Sequence, residues 1–543
     1  MIEKVSSFIT ESLTRLGYKI TPFSVQSPNR PELGDIASNV ALTLAKELKM
    51  SPMVIAETII ADIQDTDENF FSEIHAANPG FINFRINPDY YYSQLKSIFT
   101  ESDSWGKNDS GNGKRALVEF VSANPTGPLT VGHGRGAVLG DCVSSILDWN
   151  GFDVQREYYF NNAGRQMKML GLSVYNRYLQ ICGQEIDFPE DYYQGDYIKD
   201  IAATISEEIG SANIGQPEAS IFRDSAEKLI FDDIKKTLKD IHLVFDSFFN
   251  EKELYDNGSI QKILDDLKAL DLIYSKDNAT WFKGTTVGRE ADKVLVKSTG
   301  EPTYRLPDMA YHREKIERGY DKIVDVFGAD HADAYPDVLA VLDALDNDTT
   351  KIEVLIHQFV TIYQDGEQVK MSTRKANFIS LDQLIEDVGA DVVRYFFIMR
   401  GMNTHLNFDL NLARDHSDMN PVFYLQYAHA RVCSIIARAK AIEIEPDLET
   451  SLDILTKDIE LRLIRKLLDF PVIVRKSAIS LEPQSIATYL QETASIFHKF
   501  YAHERVISDD AELTAARMVL IAAFRIVIFN GLTLLGLSAP EKM

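Results

Sequence analysis

RALVEFVSANPTGPLTVGHGRGAVLGDCVSSILDWNGFDVQREYYF, residues 115–160, decides how the centre of this chain folds. ALVEFV is an apolar run of strand length. Val138, Leu139, Cys142, Val143, Ile146 and Leu147 then recur at helical spacing, and Asn150-Gly151 is a helix stop. FDVQREYYF reads as a strand again. Strand, helix, strand is a crossover unit, which implies a parallel sheet with helices packed on it. The loop between the first strand and the helix, 124–136, holds Gly127, Gly132, Gly134 and Gly136 around a single histidine, His133.

A glycine-rich turn between a parallel strand and a helix is a phosphate site. Glycine lets the backbone approach closely, and the first turn of a helix offers free N–H groups and partial positive charge. The spacing is neither G-x-x-x-x-G-K-[ST] nor G-x-G-x-x-G, so the usual triphosphate and dinucleotide loops are absent. An imidazole at His133 could donate to a phosphate oxygen in a transition state, and Arg135 could do the same or pair with an acid.

Outward from this unit the chain divides into four pieces. Its 543 residues suggest roughly three or four domains. Residues 1–103 alternate amphipathic helices with a strand, GFINFRIN, and read as a small α+β domain. SWGKNDSGNGK, 104–114, is a linker by composition. Residues 115–375 carry the parallel-sheet domain, with further strands expected at KVLVKS, KIVDVFG and EVLIHQFVTIY. An acidic, mostly helical insertion is expected at about 172–280. Residues 376–417 open with a capping box, Ser380 with Gln383. Residues 418–543 read as helical nearly throughout.

A formal net charge of −25 argues against a nucleic-acid partner for the surface as a whole, because phosphate binding rests on Lys and Arg. Binding needs only a local basic surface, however. Arg462, Arg465, Lys466, Arg475 and Lys476 form one such run. Cys142, Cys182 and Cys433 are far apart, which speaks against a disulfide framework or thiolate metal site and fits a reducing cytoplasm. No apolar run reaches the ~18 residues of a membrane span. The amino terminus reads as an amphipathic helix rather than a signal peptide. A cytoplasmic protein with no membrane partner is the expectation.

A second constellation lies in VTIYQDGEQVKMSTRKANF, 360–378. Asp365-Gly366 is a hairpin turn. Lys370, Arg374 and Lys375 follow on a loop suited to a triphosphate.

A Gly-His loop after the first strand and a Lys-Met-Ser loop after the last resemble class I aminoacyl-tRNA synthetases. The segments SANPTGPLTVGHGRGA, REYYFNNAGRQM, GEPTYRLPDMAYHREKIERGYDKIVDVFGADH, VKMSTRKANFISLDQLIEDVGADVVRYFFIMR and NPVFYLQYAHARV, with the ending SAPEKM, narrow the resemblance to bacterial arginyl-tRNA synthetases. It runs from the first domain to the last residue. It implies a Rossmann-like α/β catalytic domain between an N-terminal α+β domain that touches tRNA and an all-α anticodon-binding bundle. It implies arginine–tRNA ligation: ATP and Mg2+ activate L-arginine to the adenylate, which is passed to the 3′-terminal adenosine of tRNA-Arg. A monomer is the oligomeric state implied.

By the same resemblance Asp308 and Glu119 are acidic partners of the arginine side chain, with Ser122, Asn124 and Tyr304 as further pocket groups. Glu119 could equally pair with a nearby arginine. His133 and Lys370 match the two motif positions that face the phosphates. Gly132, Gly134 and Gly136 let ATP approach, Met371 and Ser372 continue the second motif, and Asp330 and His331 belong to the segment beside the nucleotide. No protein metal ligands are expected. Tyr424, Tyr427, His429 and Arg431 could contact unpaired bases or be core. Two positions depart from the family pattern: Thr130 stands where the first histidine is expected, and Thr373 where the second lysine is expected. Thr130 carries no charge, so a synthetase-like tRNA-binding or regulatory paralogue with weak or no ligase activity is the alternative. Another class I synthetase is disfavoured by Asp308, which calls for a cationic amino acid.

Overall fold

The computed structural model describes the chain except residues 27, 29, 68 and 370–378. The described residues form two compact units, one of residues 1–102, 436–468 and 496–526, the other of 103–435, 469–495 and 527–543. The helices of 418–543 contribute to both.

In the first unit an antiparallel sheet runs in the order Val25–Gln26, Ile36–Ser38, Phe81–Ile86, Phe71–Ala77. Helices Ile2–Arg15, Val40–Leu48 and Pro52–Thr66 bury Val5, Ile9, Leu13, Leu44, Ile55 and Ile59 against it. Tyr92 in helix Pro88–Glu101 donates to the Leu455 carbonyl at 3.0 Å. Arg465 of the basic run pairs with Asp35, and Arg462 lies 3.8 Å from Asp458.

The second unit is built on β1 (Arg115–Glu119), α1 (Val131–Trp149), β2 (Asp153–Phe160), β3 (Ser247–Asn250), a hairpin of β4 (Ile273–Lys276) and β5 (Ala279–Phe282), β6 (Lys293–Val296), α2 (Arg305–Glu317), β7 (Lys322–Gly328), β8 (Ile352–His357) and β9 (Val360–Gln364). Among the described residues its centre is a five-stranded sheet in the order β8-β7-β1-β2-β3, parallel throughout. This is the crossover sheet that residues 115–160 demand. Leu117, Leu306, Ile323 and Val341 lie in one buried cluster between sheet and helices. Helix α1 passes so close to the sheet that a Cβ at Gly140 would run into the Phe120 ring.

Several expectations change. The glycine-rich stretch is not loop as far as 136: α1 starts at Val131, so Gly132, His133, Gly134 and Gly136 are helical. KVLVKS is a strand, but β6 joins β5 and β4 in a separate antiparallel sheet. EVLIHQFVTIY is two strands in two sheets. The chain leaves the parallel sheet at Gln358, whose carbonyl accepts from Arg135 at 2.6 Å and whose N–H donates to Met402 at 3.0 Å. The expected helical insertion contains β3, the fifth strand of the parallel sheet, because a four-residue edge strand is too short to show a period. Helix Ala511–Leu534 is long and apolar enough to cross a membrane by length and composition, contrary to the sequence reading. Its most apolar stretch is 78% buried within the protein, as a helix apolar on all sides requires.

Candidate active site

Ligands of open α/β sheets collect beyond the carboxyl ends of the strands. Here those ends border a cavity of about 1140 Å³, lined by Glu119, Ser122, Asn124, Thr130, Gly132, His133, Gly136, Tyr304, Asp308, Asp330 and His331 among others. The structure thus brings together residues from four separate segments that the sequence reading had singled out. Gly134 is the exception among them. A Cβ there would lie 2.5 Å from Leu381 and 3.1 Å from Phe397, so its bareness serves helix packing and not ligand approach. Arg135 does not face phosphate or an acid either. It is fully buried and donates to the Gln358 and Gly401 carbonyls. Lys370, Met371 and Ser372, with Thr373, Arg374 and Lys375, lie outside the described residues.

Where β1 ends, the chain turns sharply. Val121 and Ser122 have φ of +69° and +44°, a region costly for side chains with a Cβ and most of all for a β-branched one. The turn brings the Ser122 hydroxyl back to donate to Glu119 at 2.8 Å while it accepts from the Tyr159 N–H at 3.2 Å. Asn124 accepts from the Asn161 N–H and donates to Gln166, each at 2.9 Å.

Thr130 is the N-cap of α1. Its hydroxyl accepts from the His133 N–H at 3.3 Å, and His133 Nδ1 accepts from the Thr130 N–H at 3.2 Å. This reciprocal pair satisfies helix-end donors. It also selects the tautomer: with Nδ1 accepting, neutral His133 carries its proton on Nε2. Burial lowers the pKa of His133, with partial opposition from Asp330, so the neutral donor is the resting form. Burial likewise pushes His357 down to about 4. Thr130 therefore shapes the helix end and the imidazole beside it.

At the acidic side Glu119, Glu251 and Asp308 share the cavity wall. Glu251 was not anticipated. It accepts from Tyr159 Oη and Asn161 Nδ2, both at 2.7 Å. It follows β3 directly, so reading SFFN as a strand would have exposed it. Asp308 is pushed up to about 6, chiefly by burial, with His312 pulling it down and Glu119 pushing it up. Behind the wall runs a buried ion network. Lys315, with no exposed surface, pairs with Glu119 and, at 2.6 Å, with Asp325. His312 Nε2 lies 3.0 Å from Asp325, and Nδ1 lies 2.8 Å from the Asp308 carbonyl. Burial works against the Lys315 charge, but Asp325 and Glu119 outweigh it and its pKa is raised. Glu119 thus pairs with a lysine, where an arginine partner was the alternative considered. Asp308, His312 and Lys315 fall at i, i+4 and i+7 on α2, a one-face spacing visible in the sequence.

A parallel sheet of this order, with a histidine-bearing helix end on one side of its cavity and carboxylates on the other, defines a class I aminoacyl-tRNA synthetase fold. Residues 94–396 match the family "tRNA synthetases class I (R), catalytic domain", residues 3–86 "Arginyl tRNA synthetase N terminal domain", and residues 425–543 "DALR anticodon binding domain". An arginine–tRNA ligase of Salinibacter ruber is 48% identical over 536 residues, covering 96% of this chain and 95% of that one. One from Chlorobaculum tepidum is 47% identical, covering 99% of each. The arginyl-tRNA synthetase structure of Thermus thermophilus has the same fold, with a TM-score of 0.77 over the whole of both chains at 21% identity. The chain belongs to the arginyl-tRNA synthetases, the arginine–tRNA ligases of class I.

Proposed function

We propose that this cavity performs both steps of arginine–tRNA ligation, with the residue roles that follow. The arginine guanidinium sits against Asp308, Glu119 and Glu251, since a planar fork of donors is best met by carboxylates. The arginine carboxylate attacks the α-phosphorus of ATP, and pyrophosphate leaves. The 3′-terminal adenosine hydroxyl of tRNA-Arg then attacks the activated carbonyl, and AMP leaves. Positioning and charge stabilisation supply the catalysis. His133 Nε2–H and the first-turn amides of α1 donate to phosphate oxygens, Gly132 and Gly136 leave room for the nucleotide, and Lys370 adds a cation from the second motif. Asp330 and His331 border the nucleotide, while Ser122, Asn124 and Tyr304 line the amino-acid side.

ATP enters as its magnesium complex in this reading. No step is assigned to that cation. The N-terminal α+β region contacts tRNA and the C-terminal helices read the anticodon. The protein acts as a cytoplasmic monomer, a setting that suits its three free cysteines.

The observation that carries this reading is the set of three carboxylates in one cavity with a neutral histidine donor. Charging of a tRNA-Arg transcript with labelled arginine, lysine or citrulline tests it. Only arginine should be transferred, and Asp308→Asn should lower kcat/KM for arginine by about 10- to 100-fold, the worth of charge-assisted hydrogen bonds. Equal charging with citrulline would overturn the assignment of the carboxylates.

A further inference from the structure

The ion network behind the acidic wall contains a histidine whose protonation is set by its geometry. His312 is 4% exposed and borders the cavity. Both of its ring nitrogens face oxygens that can only accept. Nδ1 lies 2.8 Å from the Asp308 carbonyl, and Nε2 lies 3.0 Å from Asp325 Oδ2. Asp325 brings no proton of its own: its other oxygen takes the Lys315 ammonium at 2.6 Å, and its carboxyl is held well below the usual range. A neutral imidazole carries one N–H and one lone pair, so either tautomer would set a lone pair against an oxygen. The imidazolium satisfies both contacts.

The surrounding charges fit this form. Facing His312 are Lys315 and Asp308 from its own helix α2, Asp325 from β7 and Glu119 from β1. Burial and Lys315 work against the imidazolium, but Asp325 and Glu119 outweigh them and its pKa is raised. His312 and Lys315 together balance Asp325 and Glu119. The Asp308 carboxylate stands outside that balanced set. The charged groups that act on it are His312, Glu119, His331 after β7 and Glu251 after β3. His312 lies one helical turn beyond Asp308, on the same face. It also joins the Asp308 peptide to β7 through Asp325. An opposite charge at that range favours an ionised carboxylate, and burial alone favours the neutral acid, which cannot pair with a guanidinium.

We propose that His312 is a positioning residue for arginine: as a fixed imidazolium it ties the Asp308 turn of α2 to β7 and sets a positive charge beside the Asp308 carboxylate that meets the guanidinium. The proposal rests on the assignment of Asp308 to the substrate.

Histidine ring nitrogen NMR on the wild type tests the charge. One of the eleven histidines should keep both nitrogens protonated up to about pH 8.5. Its shifts should step near pH 6, as Asp308 ionises, without loss of the proton, and the step should vanish in Asp308→Asn. A wild-type spectrum with no histidine charged above about pH 8, or with a charged one that shows no step, overturns the proposal without any His312 variant. His312→Gln, neutral and of similar length, tests the consequence. Its acid limb in kcat/KM for arginine should move up by about one unit, the worth of a lost opposite charge. The deficit against wild type should then reach about eightfold at pH 5.5 and shrink toward pH 8.5, while the KM for ATP keeps its wild-type value and shows that the variant is folded. His312→Lys, which restores a positive charge, should bring the limb back toward 6. A folded His312→Gln whose limb has not moved, or whose arginine KM rises equally at every pH, marks a merely structural histidine and overturns the proposal. Wild-type kinetics without a limb near 6, beside a spectrum that shows the step, would instead overturn the reading of Asp308 as the substrate's partner.

Discussion

Asp308 carries the sharpest chemical consequence. Burial pushes its carboxyl up to about 6, yet a guanidinium needs the ionised form. The raised value means that the proton is bound below about pH 6 and released above it. In the proposed role of Asp308, arginine binding competes with that proton. We expect kcat/KM for arginine to be flat above about pH 7 and to fall close to tenfold per unit below pH 6, and the Asp308→Asn enzyme to lose that limb while retaining low activity. A wild-type profile without a limb near 6 would show that Asp308 is not the group that meets the substrate. The neighbouring network is a different use of charge. Asp325 stays ionised because, although burial opposes it, Lys315 and His312 hold its carboxyl well below the usual range. Such a buried group shapes the pocket wall and does not titrate in the working range.

Helix α1 shows how one element serves two masters along its length. Its cap faces the cavity and its body is pressed onto the sheet. Thr130→Ala removes the hydroxyl that accepts from the His133 N–H, and should lower stability by about 1 kcal/mol while Thr130→Ser restores it. The glycines divide in the same way. Gly134→Ala drives a methyl into Leu381 and Phe397, and overpacking of that kind should destabilise by about 1–3 kcal/mol. Gly132→Ala meets nothing nearer than the Thr130 hydroxyl at 3.6 Å, so folding should be unaffected while the KM for ATP rises. Urea denaturation beside steady-state kinetics separates the two. Equal effects at both positions would contradict this division of the helix. Much of this element was legible beforehand: the apolar spacing and the stop at Asn150-Gly151. The extent of its first turn was not, because Gly132, Gly134 and Gly136 imitate a loop and only the Thr130–His133 cap overrides them.

Across the larger unit, distant parts of the chain are tied by one buried cation. Arg394 has no exposed surface. It pairs with Asp141 at 2.6 Å and donates to the carbonyls of Ile241 at 2.7 Å and Leu535 at 2.9 Å. One guanidinium therefore joins α1, the segment after helix Ser220–Asp240, and the chain beyond helix Ala511–Leu534. Arg394→Met keeps the volume but strands two carbonyls and leaves Asp141 with Arg156 alone, 3.1 Å away. Breaking a buried pair from one side should cost about 3–5 kcal/mol. Thermal unfolding should fall by several degrees, and activity should vanish at temperatures the wild type tolerates. A melting point within a degree of wild type would mean that the carbonyls find other donors.

Local grammar carried a large share of this protein. The crossover unit at 115–160, the Ser380–Gln383 capping box and the Asp365-Gly366 turn, whose φ angles of +53° and +79° suit only such a turn, all rest on contacts within a few residues. The motif segments carried the family, and with it Glu119, Asp308 and His133. Long-range partners were beyond reach of any period or motif. Glu119 meets a lysine 196 residues away, and Gln358 breaks a strand because an arginine 223 residues earlier takes its carbonyl. SFFN becomes a sheet edge only when β2 is there to pair with it. Helices, caps and turns are decided by neighbours along the chain. Which carboxylate is neutralised, which sheet a strand joins and which donor is left without a partner depend on what shares the same dry space, and packing alone settles that.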